Sequence, residues 1–119
     1  MFFFKKNPFS EVESFTRRKH KRILYQYPVD MIVGQKQFQR SSLTLSAGGL
    51  YVVALFELPP ETIVQLRIGT ENRGRFINAH GSVAYTNSGK GMGIKFVNIS
   101  PEDQKRVQGI IDKGWWQEV

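Results

Sequence analysis

Two short stretches of this sequence carry side chains suited to holding an anion. The first, from Arg17 to Arg22, reads Arg-Arg-Lys-His-Lys-Arg and places five formal positive charges in six positions. The second, from Thr44 to Gly49, reads Thr-Leu-Ser-Ala-Gly-Gly. The whole chain has a formal net charge of +7, so the first stretch holds most of the excess. This concentration of charge predicts an anion site.

The two stretches offer complementary chemistry. An arginine presents a planar fork of N–H donors that matches two phosphate oxygens and can also lie flat on an aromatic base. Because Arg18 and Arg22 are four residues apart, their forks could hold one compact anion with more than one phosphate. The second stretch offers the hydroxyl of Ser46, backbone N–H groups, and glycines that permit positive φ and a close approach to a ligand.

Together the two stretches resemble the paired signature of the PilZ domain, a family of bacterial receptors for the second messenger cyclic di-GMP. The family pattern is Arg-x-x-x-Arg, followed later by Asp or Asn, any residue, Ser, any two residues and Gly. Arg18, Arg22, Ser46 and Gly49 match this pattern. Thr44 stands where the family has Asp or Asn.

The end of the chain is similar to the same family. Residues 91–96, Gly-Met-Gly-Ile-Lys-Phe, and residues 99–103, Ile-Ser-Pro-Glu-Asp, resemble its last strand and the start of its helix. The resemblance implies a mainly β fold, a small antiparallel six-stranded PilZ-type β-barrel with a C-terminal α-helix and an N-terminal arm. We expect the arm over residues 1–15 and the barrel domain over residues 16–119, with its helix at about 101–113.

The resemblance also implies which residues bind cyclic di-GMP. They come from both stretches: Arg17, Arg18, Arg22, Thr44, Ser46, Gly48 and Gly49. Arg18 and Arg22 would grip phosphate and the O6 and N7 edge of guanine, and Ser46 would bond from the opposite wall. Arg17 would serve a second, stacked ligand molecule. In the family the basic motif lies on a segment just before the barrel, so the ligand would fasten that segment to the barrel and signal the change to an effector protein.

Two other functions stay open at this point. A small basic β-barrel with exposed aromatic residues also resembles a nucleic-acid-binding surface, but such a surface spreads its charge along a groove, so nucleic acid is not the expected partner. An adaptor of the PilZ fold that acts through protein contacts alone is the alternative that Thr44 favours. A hydroxyl cannot replace a carboxylate that accepts two guanine N–H bonds, and losing such a charge-assisted pair costs on the order of 1.5–3 kcal/mol.

The composition argues against catalysis. The chain has no cysteine and two histidines, His20 and His80, and no paired carboxylates or nucleophile–base set stand out. We therefore predict no catalytic residue, no metal site and no cofactor, and a binding protein that is not an enzyme. With 119 residues the chain has the size of one domain. No apolar run approaches the roughly 18 residues of a membrane span, so we expect a cytoplasmic protein.

The elements that must position the two stretches are short strands. Alternating apolar and β-branched residues predict strands over residues 23–33, 38–45, 50–55, 62–68, 75–85 and 93–97. Within the second of these strands, side chains alternate between two faces. Arg40, Ser42 and Thr44 should therefore share one face, with Leu43 and Leu45 on the other.

Both ends of the chain carry apolar residues whose place must be explained. Ser100 as N-cap and Gly114 as terminator predict the C-terminal helix between them. Trp115 and Trp116 follow it, and we expect them to plug one end of the barrel, with an exposed partner-binding patch as the alternative. The arm is unusually aromatic, which predicts that it docks on this protein or on another one; its phenylalanines are Phe2, Phe3, Phe4 and Phe9.

Overall fold

The computed structural model describes residues 20–119. These form seven strands and one α-helix, numbered here in chain order: β1 (Arg22–Leu24), β2 (Pro28–Val33), β3 (Lys36–Ser46), β4 (Gly49–Val53), β5 (Ile63–Gly69), β6 (Phe76–Asn87), β7 (Gly91–Ile99) and α1 (Pro101–Lys113). A short 3-10 turn, Trp115–Gln117, follows α1. The predicted arm with its phenylalanines lies outside the described residues, as do Arg17 and Arg18, so the domain boundary at residue 15 stays a prediction.

Six of the strands close into an antiparallel barrel. Around the barrel the order is β3, β2, β5, β6, β7 and β4, and the pairing of β4 with β3 completes the circle. β1 is an extra strand that pairs with the end of β3, where Arg22 lies opposite Ser46 and Leu24 opposite Thr44. The predicted mainly β fold, a six-stranded antiparallel barrel with a C-terminal helix, is confirmed.

The single strand predicted over residues 23–33 is in fact two strands along one edge of β3. Between β1 and β2 the chain leaves the regular ladder, and the side chain of Ser42 supplies replacement hydrogen bonds. Its hydroxyl accepts a hydrogen bond from the Tyr27 backbone N–H at 3.1 Å and donates one to the Tyr25 carbonyl. Pro28, which has no N–H to donate, begins β2.

A bulge in β3 overturns the predicted sharing of faces. Ser42 pairs with Val52 of β4, but Thr44 already pairs with Tyr51, so Leu43 is an extra residue on β3. One extra residue reverses the alternation of side chains beyond it. Ser42 is therefore buried in the interior, at 1% exposure, whereas Thr44 lies on the outer face. The expectation that the two would share a face is wrong.

The core fills the barrel and extends to the helix. The alternation predicted for β5 is confirmed, since Val64, Leu66 and Ile68 are all buried. Val107 and Ile111 of α1 belong to the same buried cluster, so the helix packs its apolar face on the barrel. Burial of this apolar surface is the main stabilising term of such a fold.

α1 begins and ends where its signals predict. The Ser100 hydroxyl accepts a hydrogen bond from the Asp103 backbone N–H at 3.1 Å, and the Gly114 N–H donates to the carbonyls of Ile110 and Ile111 at 3.0 and 3.1 Å. In residues 20–119 there is no helix both long and apolar enough to cross a membrane.

The two tryptophans do not plug the barrel. Trp115 is 65% exposed and Trp116 is 68% exposed, so the expected plug is wrong. The apolar face of α1 already supplies the side chains that pack on the barrel, because Val107 and Ile111 come before the helix ends. The indoles lie in the turn beyond it.

Candidate functional site

A pocket of about 380 Å³ lies on the outer face of the barrel, and β1 borders it. It brings together five of the seven predicted site residues: Arg22, Thr44, Ser46, Gly48 and Gly49. The other two, Arg17 and Arg18, precede the described residues. The two stretches singled out in the sequence therefore meet in space, because β1 pairs with the last residues of β3.

Cross-strand pairing organises the pocket into two parallel rows. Directly opposed residues in antiparallel strands project from the same face. One line of partners runs over four strands, and we call it the charged row: Arg22, Ser46, Gly49 and Lys95. The next line we call the aromatic row: Thr44, Tyr51, Gly93 and Tyr85. Each row therefore places three side chains on one face, with a glycine, Gly49 or Gly93, leaving a gap in the row.

A tight turn of the chain forms the middle of the charged row. Ser46 pairs with Gly49, leaving Ala47 and Gly48 as the two-residue connection between β3 and β4. The Ser46 hydroxyl accepts a hydrogen bond from the Gly48 N–H at 3.2 Å and donates to the Gly49 carbonyl at 3.3 Å. These long bonds hold the hydroxyl at the pocket surface, where a ligand could replace either of them.

The two glycines of the turn leave space for neighbouring groups and do not adopt positive φ. The glycines with positive φ among residues 20–119 are Gly34, Gly74 and Gly89, so the positive φ expected in the turn is absent there. A Cβ added at Gly48 would come within 2.6 Å of the His20 ring, and one added at Gly49 would collide with the Ile94 carbonyl oxygen. Close packing of the turn against the β7 backbone therefore demands glycine at position 49, whereas at position 48 only the exposed His20 ring would have to move aside.

The aromatic row forms a second, apolar surface in the pocket. The rings of Tyr51 and Tyr85 lie 6.2 Å apart, centroid to centroid, with 36° between their planes. Gly93 lies between them on β7, and a Cβ there would overlap the Tyr85 ring. The Tyr51 hydroxyl accepts a hydrogen bond from Asn87 Nδ2 at 3.0 Å. Gly93 therefore leaves the two rings close together, with the outer surface open to a planar ligand.

The pocket is positively charged. Arg22 and Lys95 stand at the two ends of the charged row, and neither makes an ion pair with any residue in the described part of the chain. Among residues 20–119, no acidic residue lines the pocket. Ser46 adds a hydroxyl between the two cations, and Thr44 adds another in the neighbouring aromatic row. A bound anion lowers the electrostatic free energy of cations that have no counter-charge, so the arrangement favours a ligand that carries negative charge.

Among the pocket-lining residues that sequence reasoning missed, four are polar or aromatic: His20, Tyr51, Tyr85 and Lys95. Tyr51 could have been found, since it lies two residues after Gly49 on the same strand and so shares its face. Lys95 and Tyr85 carried no such signal. They lie on β7, which pairs with β4, and on β6, which pairs with β7, so their places in the pocket depend on how the barrel closes.

The chemistry of the site follows from its two rows. Guanidinium and ammonium groups hold phosphate oxygens or the acceptor edge of a base. Tyrosine rings offer surfaces on which a base can stack. The pocket is suited to an anion that also carries planar rings. The residues that line it include no nucleophile–base set that would point to catalysis.

The fold is similar to that of several solved structures. The inhibitor of motility MotI/DgrA of Bacillus subtilis superposes with a TM-score of 0.70 at 22% identity, over 85% of this chain and 52% of that one. The PilZ domain of YcgR from Escherichia coli, solved with c-di-GMP, gives 0.68 at 16% identity, over 84% and 92%. PlzA of Borreliella burgdorferi, solved in complex with c-di-GMP, gives 0.62 at 14% identity, over 82% and 43%. At these identities the likeness concerns the fold.

This chain covers only part of the length of some of these proteins. It spans about half of the Bacillus subtilis protein, at 52%, and less than half of PlzA, at 43%. No curated protein sequence gives a significant match. The sequence model of the PilZ domain matches residues 16–113, which include both stretches, the whole barrel and α1. With that match and the barrel and pocket described above, the chain belongs to the PilZ domain family.

Proposed function

We propose that this chain is a receptor for cyclic di-GMP, which binds in the pocket between β1 and the turn at Ser46–Gly49. The observation that carries the proposal is the charged row, in which Arg22 and Lys95 flank the Ser46 hydroxyl. Structures of similar fold that were solved with c-di-GMP, those of YcgR and PlzA, support it. PilZ domains bind ligands and act as receptors or adaptors, which agrees with the absence of a predicted catalytic residue.

Each part of the ligand would find a partner in the pocket. The guanidinium of Arg22 would form paired hydrogen bonds with a phosphate or with O6 and N7 of a guanine. Thr44 and Ser46 would contact guanine from β3. A guanine lying on Tyr51 or Tyr85 would gain about 1–3 kcal/mol from stacking.

Sequence spacing would allow the two arginines that precede the described residues to reach the same ligand. His20 lines the pocket, and two residues of extended chain span about 7 Å. Arg18 is two residues from His20 and Arg17 is three, so both side chains can extend to a ligand held by Arg22. We assign Arg18 to the first ligand molecule and Arg17 to a second one stacked on it.

Binding would then couple the N-terminal segment to the barrel. A ligand gripped both by Arg17 and Arg18 and by the turn at Ser46–Gly49 would fasten the basic segment at the start of the domain, which we assign to residues 16–119, to the barrel. This ordering is the proposed switch. An effector protein would recognise the domain with its N-terminal segment ordered in this way. No nucleic acid and no cofactor would take part.

A second candidate function rests on Thr44. Its hydroxyl makes no hydrogen bond within residues 20–119, so it is available to a ligand but carries no charge. If the contact with guanine needs a carboxylate, this chain is a PilZ-fold adaptor with weak or lost ligand binding that works through protein contacts.

Isothermal titration calorimetry separates these functions. Cyclic di-GMP should give saturable heat, whereas a linear guanine dinucleotide and a short oligonucleotide should bind far more weakly. Saturable heat from the oligonucleotide with none from cyclic di-GMP would point to nucleic acid. If none of the three ligands gives heat, the adaptor function is the one that remains.

A further inference from the structure

α1 touches the turn that forms one wall of the pocket. Gln104, in the first half of the helix, donates a hydrogen bond from Nε2 to the Ala47 carbonyl at 3.3 Å. Ala47 is one of the two residues that connect β3 to β4, and the neighbouring Gly48 carbonyl accepts from the Phe96 N–H at 2.8 Å. Hydrogen bonds from both α1 and β7 therefore hold the turn in place.

The segment after α1 touches the other wall, which is β1. The Val119 N–H donates to the Arg22 carbonyl at 3.0 Å, and Glu118 forms a bridge with Ile23. Gly114 packs so closely on Ile23 that a Cβ would come within 2.7 Å of its Cδ1. The turn after α1 is thus fixed to β1 at both of its ends.

The two tryptophans lie between these fixed ends. Within the turn the Gln117 N–H donates to the Gly114 carbonyl at 2.8 Å and the Glu118 N–H to the Trp115 carbonyl at 3.3 Å. The turn is tight, so a displacement at either end moves Trp115 and Trp116. These are the only tryptophans of the chain, and both indoles are mainly exposed.

β1 is the wall of the pocket that can shift without opening the barrel, while Ile23 anchors it in the core. It has three residues and lies outside the closed barrel, so shifting it breaks no pairing among the six barrel strands. Its Arg22 side chain faces the pocket while the Arg22 carbonyl holds Val119. A ligand that draws Arg22 toward Ser46 therefore pulls on the residue that closes the tryptophan turn.

We propose that α1 and the turn after it form a relay, in which ligand binding at the two pocket walls changes the surroundings of Trp115 and Trp116. This rests on the proposed function, since it needs cyclic di-GMP to bind between Arg22 and Ser46. The outer surface around the exposed indoles therefore differs between the empty and the ligand-bound pocket. The hydrogen bond from Val119 to Arg22 is the link that transmits the movement.

Tryptophan fluorescence tests the relay, with calorimetry on the same samples. Excitation at the red edge of the indole band avoids absorption by guanine. The full chain titrated with cyclic di-GMP should show a saturable change in emission maximum or intensity, with the midpoint that calorimetry gives. Binding heat without a fluorescence change would overturn the relay and leave the proposed function intact. The absence of binding heat with cyclic di-GMP would overturn both the relay and the proposed function.

A pair of variants at one position tests the link itself. Val119→Pro deletes the N–H that donates to Arg22, and Val119→Ala keeps it. The preceding residue, Glu118, is extended, with φ −62° and ψ 138°, which is the conformation favoured before proline. We expect Val119→Pro to bind with unchanged heat but to lose the fluorescence response, whereas Val119→Ala keeps both. A full fluorescence response in Val119→Pro would overturn the relay, since it would show that the ligand contacts the indoles directly or moves them by another route.

Discussion

Removing the guanidinium of Arg22 is the most direct test of the site. The Arg22 side chain makes no ion pair or hydrogen bond with another described residue. Its backbone, which pairs with Ser46 and accepts from Val119, is kept in Arg22→Ala. The free energy of unfolding should therefore change by less than about 0.5 kcal/mol, as for other surface substitutions.

The effect on binding should be much larger than the effect on stability. A hydrogen bond to a charged group contributes about 1.5–3 kcal/mol. Losing that amount raises Kd by roughly ten- to a hundredfold. Lys95, at the other end of the charged row, holds part of the ligand charge but cannot form the paired bonds of a guanidinium.

Arg75→Ala is the matched control for this variant. Arg75 is exposed in the loop between β5 and β6, and its side chain makes no ion pair with a described residue. Both substitutions lower the net charge by one, so a difference in Kd between the two variants shows the effect of where the charge is lost. Calorimetry should show weakened binding for Arg22→Ala and parent-like binding for Arg75→Ala. Equal Kd values for Arg22→Ala and the parent, or equal weakening by both variants, would refute the assignment of Arg22 to the site.

Three further predictions follow from single residues. Thr44→Asp should lower the Kd for cyclic di-GMP in calorimetry, because a carboxylate accepts guanine N–H bonds better than a hydroxyl; weaker binding would contradict this. Arg17→Ala should reduce the stoichiometry from two ligands per chain to one, and a one-to-one titration of the parent would reject the stacked pair. Tyr25→Phe should lower the free energy of unfolding by about 0.5–1.5 kcal/mol, since the Tyr25 hydroxyl donates to the Gly69 carbonyl at 2.7 Å. Burial raises the pKa of Tyr25, so urea denaturation should show the parent losing stability as the pH rises above about 10, the unfolded value, and the variant losing less.

Much of the fold could be predicted from the sequence because its signals are local. Alternation over residues 62–68 follows from the two faces of a strand, and the limits of α1 follow from Ser100 and Gly114. Resemblance to a family implied that Arg22 and the turn at Ser46–Gly49 belong to one site, but the pairing of Arg22 with the end of β3 was not predicted. The bulge at Leu43 was not predictable, because it arises from fitting β3 against both β4 and the segment before β2.

The sequence by itself determined the kind of chemistry, through the cations of Arg17–Arg22 and the small polar turn at Ser46–Gly49. Only the tertiary structure decided what else enters the pocket and what stays outside. Tyr51 and Tyr85 become neighbours because β7 lies between β4 and β6 and has glycine at position 93. The tryptophans stay exposed because α1 has already covered the barrel before the chain reaches them. Contacts of this kind depend on strand register and packing across the whole domain, which no local pattern of residues encodes.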